Sequence, residues 1–271
     1  MLWTRIASGV VLGPLFLALV YFGYPSFHIM LGLITALIAW EFVRMDSALG
    51  KRTRAVLLAL GLIGGLLIPI YAPWAMIVVA IGLVGVMLRR EPVFVAVPYA
   101  VLPAVTLAYI WAAGGGGRAD YVVAGAAGFE VDGGSFSIFW ALAVVWATDI
   151  GAYATGRTIG GPKLAPSISP GKTRSGAIGG LLWAVALSAL LLWVFRIQIK
   201  PAHIGVAFLM SIVSQMGDLF ESAVKRRYDV KDSGTLIPGH GGFMDRFDGL
   251  WAAAPIMAVF CVILGGGVQR W

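Results

Sequence analysis

Charged residues are scarce in this chain of 271 residues. Lys, Arg, Asp and Glu make up 12% of it, whereas 59% of the residues are hydrophobic and the mean hydropathy is +0.89. That charged share is about half of what a soluble domain usually carries. A soluble fold of this size needs a charged surface that this composition does not supply. The composition therefore excludes a large soluble domain and indicates an integral membrane protein.

Cysteine is almost absent as well. The only one, Cys261, lies in an apolar run. A single cysteine excludes an intramolecular disulfide and a cysteine metal cluster, so we interpret Cys261 as a small buried hydrophobic residue. The net charge of +7 does not indicate nucleic acid as a partner, because basic residues in membrane proteins accumulate in cytoplasmic loops and set the topology.

Apolar runs of about 20 residues recur along the chain, each long enough to cross a bilayer as a helix. We predict an all-α, polytopic membrane protein with about nine spans. The first run lacks a small-residue cleavage site, so we interpret it as a span and not as a signal peptide. The predicted spans are 4–23, 27–44, 55–72, 74–89, 93–112, 136–157, 177–196, 203–223 and 249–268.

The basic residues are distributed unevenly among the loops. If the N-terminus is cytoplasmic, the basic loops after spans two, four, six and eight all face the cytoplasm, and only Arg196 and Lys200 depart from the rule. The Gly-rich loop at 113–134 then faces the other side, as a flexible connector. Two polar loops, 157–176 and 224–248, share the cytoplasmic side.

Two predicted spans carry acidic residues. Asp149 lies in an apolar run, where a carboxylate costs roughly 2.5–3.5 kcal/mol and is a functional candidate. Asp149, Tyr153 and Arg157 share one helical face, and the alternative is an Asp–Arg pair that only fixes packing. Span eight carries a polar stripe with Glu221 beside it, and Gly217, next to Asp218, lets another backbone approach closely. Taken alone, this stripe could serve only to hold two helices together. The stripe consists of Ser214, Asp218, Ser222 and Lys225.

The loop 157–176 is suited to binding anions. Its GKT is not a phosphate-loop motif, because Pro166 stands where the motif needs glycine and no strand is expected before it. The first amides of the following span favour a phosphate. The alternative is a solvated basic loop that only sets topology. The candidate anion ligands are Lys163, Ser167, Ser169, Lys172, Thr173 and Arg174.

The segment 225–248 holds nine of the 33 charged residues. Asp245 and Asp248 lie on one face if the start of span nine is already helical, and such carboxylates suit Mg²⁺ together with substrate phosphates. Arg246 suits bidentate phosphate binding, and His240 is a candidate acid, base or phosphate ligand whose alternative role is structural. The basic cluster could instead only contact anionic lipid, although the interleaved aspartates argue against that. The cluster consists of Lys225, Arg226, Arg227 and Lys231.

Carboxylates for a divalent metal beside cations for several phosphates, at a membrane surface, indicate phosphoryl or nucleotidyl transfer to a lipid. Two alternatives from other classes stay open. One is a transporter with Asp149 and Asp218 in its path, although no internal repeat supports it. The other is a non-catalytic scaffold in which the charges only set topology.

Residues 222–248 resemble the signature of the phosphatidate cytidylyltransferases (CDP-diacylglycerol synthases), with the fragments SAVKR, KD-x-G and LIPGHGGF-x-DRFD. Upstream, WATDIGAYATGR and KLAPSISPGKT are also similar to this family, so the resemblance covers about 140–260. Arg174 and Ser175 stand where the family often has an acid and a glycine. A CDP-alcohol phosphotransferase is disfavoured, because the residues after Asp248 and Gly249 lack the arginine of that pattern.

The resemblance implies that CTP and phosphatidic acid give CDP-diacylglycerol and pyrophosphate, with Mg²⁺ as cofactor, and a second cation beside Mg²⁺ is left open. Combined with the residue patterns, it predicts three sets of site residues. The catalytic set is Asp218, Asp245, Asp248, His240 and Lys225. The substrate-binding set is Lys163, Ser167, Ser169, Lys172, Arg226, Lys231, Arg246 and Tyr153. The metal-binding set is Asp218, Asp245, Asp248 and Asp149.

These assignments divide the chain into an N-terminal region of about five spans, 1–135, and a catalytic membrane region of about four spans, 136–271, which carries both polar loops. The expected partners are CTP, phosphatidic acid and the bilayer, and a homodimer is compatible with the sequence. We expect a multi-pass protein of the inner (plasma) membrane with its active site facing the cytoplasm.

Overall fold

The computed structural model describes residues 2–89, 92–117, 122–125, 128–237 and 241–271. Most of them lie in α-helices, and each predicted span overlaps one of these helices. The helices are α1 (Leu2–Phe22), α2 (Ser26–Met45), α3 (Lys51–Arg89), α4 (Ala96–Ala113), α5 (Gly133–Thr158), α6 (Arg174–Val194), α7 (Pro201–Arg227) and α8 (Met244–Leu264).

Helix α3 contains both the third and the fourth predicted spans. Its backbone leaves the helical region at Tyr71 (φ −161°, ψ 95°), between Pro69 and Pro73. A Cβ placed on Gly64 would lie 3.5 Å from Val78 Cγ1, whereas a straight helix would separate these residues by about 21 Å. The helix therefore folds back on itself at Tyr71, and the two predicted spans are its two halves.

In the part of the chain that the structure describes, seven helices, α2 to α8, are long and apolar enough to cross a membrane. Within α1, the stretch Val10–Phe22 is apolar but shorter than the seven helices that are long enough to cross a membrane. The prediction of an all-α, polytopic membrane protein is confirmed. The number of nine spans and the cytoplasmic N-terminus stay predictions.

Two short antiparallel hairpins interrupt the helical pattern, and the sequence predicted neither of them. Strands β1 (Val122–Ala124) and β2 (Glu130–Asp132) lie in the Gly-rich loop that we expected to be a flexible connector. Strands β3 (Lys163–Ala165) and β4 (Ser169–Thr173) lie in the basic loop before α6. Glycine in the first loop, and glycine and proline in the second, obscured the strands, since these residues are depleted in most sheets.

The chain forms two compact units. The first consists of Met1–Tyr109 and Lys225–Phe247, and the second of Ile110–Val224 and Asp248–Trp271. The charged segment before α8 thus belongs with the N-terminal helices. The sequence-based division into regions 1–135 and 136–271 follows the order of elements along the chain, and it stays a prediction.

Within the second unit, α5 and α6 pack closely through small residues. A Cβ on Gly176 would lie 2.7 Å from the Ala152 carbonyl oxygen, and one on Gly180 would lie 2.6 Å from that of Thr148. Small residues four positions apart let membrane helices approach backbone to backbone. Thr173, the last residue of β4, accepts a hydrogen bond from the Gly176 amide at 3.1 Å and caps α6. This close packing and the cap fix the β3–β4 hairpin beside α5.

Candidate active site

The second unit contains a cavity of about 690 Å³ between α5, the β3–β4 hairpin, α6 and α7. Its wall carries three basic residues, two carboxylates and several exposed backbone groups of glycine. The polar and charged lining residues are Asp149, Tyr153, Arg157, Lys163, Ser169, Lys172, Thr173, Gln215 and Asp218. A cavity so lined is suited to a ligand with several phosphates, because each cation can neutralise part of the charge.

The predicted face of α5 lines this cavity as a unit. Asp149, Tyr153 and Arg157 all contribute to the wall, and the Arg157 guanidinium donates to the Tyr153 hydroxyl at 2.7 Å. The spacing of four residues therefore gave the shared face correctly. Ser167 lies in the exposed turn between β3 and β4 and is not among the described residues that line the cavity.

Lys172 on β4 forms an ion pair with Asp218 on α7. Their side chains are 27% and 33% exposed, so the pair is accessible from the cavity. A lysine ammonium is a compact charge on a flexible stem. Lys172 can therefore exchange its carboxylate partner for a phosphate of a bound ligand.

Three carboxylates meet where α7 and α8 approach each other closely. The side chains of Asp218, Glu221 and Asp248 each place one oxygen within 4.8 Å of the others. Glu221 is fully buried. Hard oxygen ligands at this separation suit a divalent cation such as Mg²⁺ or Ca²⁺, so the donor set fits a metal ion. In the described part of the chain Asp149 is not a member of this group, and its metal role stays a prediction.

Glycine at position 217 allows this cluster to form. A Cβ on Gly217 would lie 2.7 Å from the backbone oxygen of Asp248 and against the Ala252 side chain. The two helices thus approach so closely that the neighbouring Asp218 reaches Asp248. The close approach that the sequence predicted at Gly217 is observed.

The first unit holds the remaining predicted site residues. The Asp245 carboxylate accepts from the Lys225 ammonium at 2.7 Å, from the Gly242 amide at 2.8 Å and from the Ser233 amide at 3.0 Å. The side chain of Asp245 is only 5% exposed. This carboxylate is therefore already satisfied by protein groups, and its predicted roles in metal binding and catalysis stay predictions.

Three predicted phosphate contacts of the first unit are exposed: Arg226, Lys231 and Arg246. The Arg226 guanidinium donates to the Val230 carbonyl at 3.2 Å, which orders the turn after α7. His240 lies outside the described residues. The roles given to these four residues stay predictions.

Sequence reasoning missed two carboxylates. Glu221 was placed beside the polar stripe, although its spacing of three residues from Asp218 puts both on one helical face. Glu41, in α2, accepts hydrogen bonds from the amides of Phe243 and Met244. The rule that singled out Asp149, a carboxylate in an apolar run, applies equally to Glu41 and would have found it.

Fold and site together define a polytopic membrane protein in which a cation-lined cavity adjoins a cluster of three carboxylates. Residues 3–264 match the cytidylyltransferase family, so the chain belongs to that family. The match agrees with the family resemblance of the signature segment.

Curated proteins named phosphatidate cytidylyltransferase are similar to part of the chain. The protein from Brucella suis biovar 1 (strain 1330) is 55% identical over 133 residues, which is 48% of each chain. The protein from Bacillus subtilis (strain 168) is 45% identical over 121 residues, 44% of this chain and 45% of the relative. The protein from Staphylococcus aureus (strain COL) is 40% identical over 126 residues, 46% and 48% of the two chains. The chain thus spans about half the length of the curated relatives it matches.

Proposed function

We propose that this protein transfers CMP from CTP to phosphatidic acid, giving CDP-diacylglycerol and pyrophosphate for phospholipid synthesis. One observation carries the proposal: Asp218 belongs both to the wall of the cation-lined cavity and to the three-carboxylate cluster. A site for several phosphates and a site for a metal ion therefore share a residue. The names of the relatives support the same substrates.

The proposed reaction is an in-line displacement at the α-phosphorus of CTP. A phosphate oxygen of phosphatidic acid forms the new P–O bond, and the bond from the α-phosphorus to the oxygen bridging to the β-phosphate breaks. Pyrophosphate leaves with that electron pair. The attacking phosphate is already an anion at neutral pH, so no side-chain nucleophile is required. The contribution of the protein is positioning and charge neutralisation, for which Arg157, Lys163 and Lys172 are the candidate cations.

We further propose Mg²⁺ as the metal held by Asp218, Glu221 and Asp248. Such an ion supplies charge stabilisation for the oxygens of the phosphates that react. The oxygen-only donor set supports Mg²⁺ over softer metals. Asp245 and Asp149 stay further candidate ligands, and a second cation stays open.

Replacing Lys172 with methionine is expected to have opposite effects on the two ligands. The variant loses a phosphate contact, so KM for CTP should rise at least about tenfold, since a hydrogen bond to a charged group contributes roughly 1.5–3 kcal/mol. It also removes a cation that competes for Asp218, so half-maximal activity should need less Mg²⁺. Initial rates over a grid of CTP and Mg²⁺ concentrations measure both effects.

Lys200→Met is the matched control for this variant. Lys200 is an exposed lysine of the second unit that does not line the cavity, so both constants should match those of the wild type. An unchanged KM for CTP in Lys172→Met would remove Lys172 from the proposed phosphate site.

We propose that the site faces the cytoplasm in the inner (plasma) membrane, which the basic loops of the sequence support. The acyl chains would stay in the bilayer while the head group reaches the cavity. A cysteine introduced at Ser167, an exposed residue, tests the orientation: labelling of intact cells by a membrane-impermeant maleimide would contradict it. Light scattering of the purified protein tests the expected homodimer.

One assay tests the proposed activity. Purified protein in mixed micelles receives labelled CTP, phosphatidic acid and Mg²⁺, and release of pyrophosphate is followed together with the CDP-lipid product. Diacylglycerol in place of phosphatidic acid is the matched control, because it lacks the attacking phosphate. Absence of product with any divalent metal would refute the enzyme and would favour the transporter or scaffold alternatives.

A further inference from the structure

The proposed chemistry makes no use of Glu41, although this residue is unusually placed. It lies on α2 in the first unit and is only 1% exposed. A carboxylate removed from water is costly unless hydrogen bonds replace its hydration. Its oxygens accept from the Phe243 amide at 2.9 Å and the Met244 amide at 2.8 Å, and the Ser233 hydroxyl lies 3.2 Å away. All of these contacts come from the charged segment 225–248.

Two of the donors are at the start of α8, whose first residue is Met244. Amides at the beginning of a helix have no partner within the helix, and a negative charge there is stabilised by the helix dipole. A nearby serine or aspartate usually fills this role. Here a carboxylate about 200 residues away in the sequence fills it, so the path of the chain into α8 depends on α2.

The Ser233 hydroxyl connects Glu41 to a predicted site residue. Its oxygen lies 3.2 Å from Glu41 Oε2 and 3.0 Å from Asp245 Oδ2. One hydroxyl hydrogen can be donated to only one of the two carboxylates at a time. Asp245 Oδ1 in turn accepts from Lys225 at 2.7 Å. A continuous polar chain therefore leads from Glu41 through Ser233 to the Asp245–Lys225 pair.

Two glycines leave the space that Glu41 occupies. A Cβ on Gly234 would lie 2.8 Å from Glu41 Oε1, and one on Gly242 would lie 2.5 Å from Glu41 Oε2. Any side chain at either position would displace the carboxylate. Both glycines belong to the segment that resembles the family signature. Glycine is suited to these two positions because a Cβ there would collide with the carboxylate of Glu41.

We propose that Glu41 is a positioning residue for the proposed transfer reaction. It fixes residues 233–234 and 242–244, which we call the clamped residues, and so holds the Asp245–Lys225 pair in its observed place. The inference rests on the proposed function, because positioning has meaning only for a reaction that uses this pair. The contacts that carry it lie entirely within the first unit.

Glu41→Gln tests the proposal with little change in shape. The amide replaces an acceptor by an NH₂ group that faces a backbone N–H, so at least one hydrogen bond is lost. We expect kcat to fall about tenfold to thirtyfold, while KM for CTP stays within about twofold, because a small misplacement of groups mainly slows the chemical step. Asp46→Asn is the matched control, since Asp46 follows α2 directly and its side chain accepts a local hydrogen bond from the Ala48 amide, which asparagine can also accept. It should keep wild-type constants.

A labelling measurement tests, without using activity, whether Glu41 holds the clamped residues in place. Ile237 lies in the sequence between the two groups of clamped residues and is only 4% exposed. The single native cysteine, Cys261, is buried, so a cysteine introduced by Ile237→Cys reports local opening. Combined with Glu41→Gln, its reaction with maleimide should accelerate at least about fivefold, since opening controls access to a buried thiol. Combined with Asp46→Asn, the rate should not change.

The outcomes separate this proposal from the proposed function. Wild-type kcat together with an unchanged labelling rate in Glu41→Gln overturns the positioning role. If Glu41→Gln accelerates labelling but the wild type makes no CDP-lipid, the structural role of Glu41 is supported and the proposed reaction is refuted. Should Glu41→Gln not be recovered folded, Glu41→Asp decides: it keeps the charge, and a labelling rate and kcat equal to those of the wild type would overturn the proposal.

Discussion

Replacing Asp248 with asparagine is expected to reduce turnover about a thousandfold or more. The change removes one of three carboxylates that lie within 4.8 Å of one another and leaves an amide with half of the acceptor capacity. Metal ions supply several kcal/mol of charge stabilisation in phosphate chemistry, and each 1.4 kcal/mol corresponds to about a factor of ten in rate. Steady-state rates at saturating CTP and lipid measure the loss.

Binding of Mn²⁺ provides a readout of Asp248→Asn that is independent of turnover. Mn²⁺ should raise the unfolding temperature of the wild type and have a much smaller effect on the variant, because a ligand stabilises only a fold that binds it. Asp229→Asn is a suitable control. Asp229 is exposed with a positive φ of 54°, a conformation that asparagine tolerates. Near-wild-type turnover of Asp248→Asn would show that the cluster does not bind the reacting metal.

Replacing Gly217 with alanine is expected to reduce turnover by at least about a hundredfold, the size of effect that a misplacement of about 1 Å produces. The added methyl group would lie 2.7 Å from the Asp248 backbone oxygen and against the Ala252 side chain. Backbone atoms cannot give way as a flexible side chain would, so α7 and α8 must separate and the three carboxylates move apart. Turnover and the Mn²⁺-dependent unfolding temperature should therefore decline together.

Gly205→Ala distinguishes this effect from the general consequence of a methyl group on α7. Gly205 lies on the same helix and has no heavy atom within 4 Å of an added Cβ. Alanine should stabilise the helix there slightly, by up to about 1 kcal/mol, with unchanged turnover. Equal behaviour of the two variants would mean that the close approach at Gly217 is not needed for the site.

The sequence predicted the helices well because a membrane span depends on the length of an apolar run, which is a local property. It also predicted the shared face of Asp149, Tyr153 and Arg157, since helical spacing alone determines that face. The two short hairpins were missed, because pairing between strands of three to five residues depends on the surrounding packing more than on composition.

Contacts between residues far apart in the sequence could not be predicted from local sequence patterns. No pattern in the sequence indicates that Glu41 contacts residues about 200 positions later, because that contact depends on how the first unit packs. The position of Glu41 in an apolar run could have identified it as a candidate, but it would not have indicated the partner. Glu221 was similarly visible as a carboxylate, whereas its burial beside Asp218 and Asp248 follows from the approach of α7 to α8.

The packing of α5 against α6 has a consequence for the design of inhibitors. At one wall of the cavity, α5 and α6 contact each other backbone to backbone at Gly176 and Gly180. No side chain at these two positions can change its rotamer to make room for a ligand. The lining residues Gly160 and Gly161, between α5 and β3, have no heavy atom within 4 Å of an added Cβ, so there is open space around them. Within a series of compounds, added bulk directed at the contact of α5 with α6 at Gly176 should therefore abolish affinity abruptly, whereas bulk directed at Gly160 and Gly161 should be accommodated.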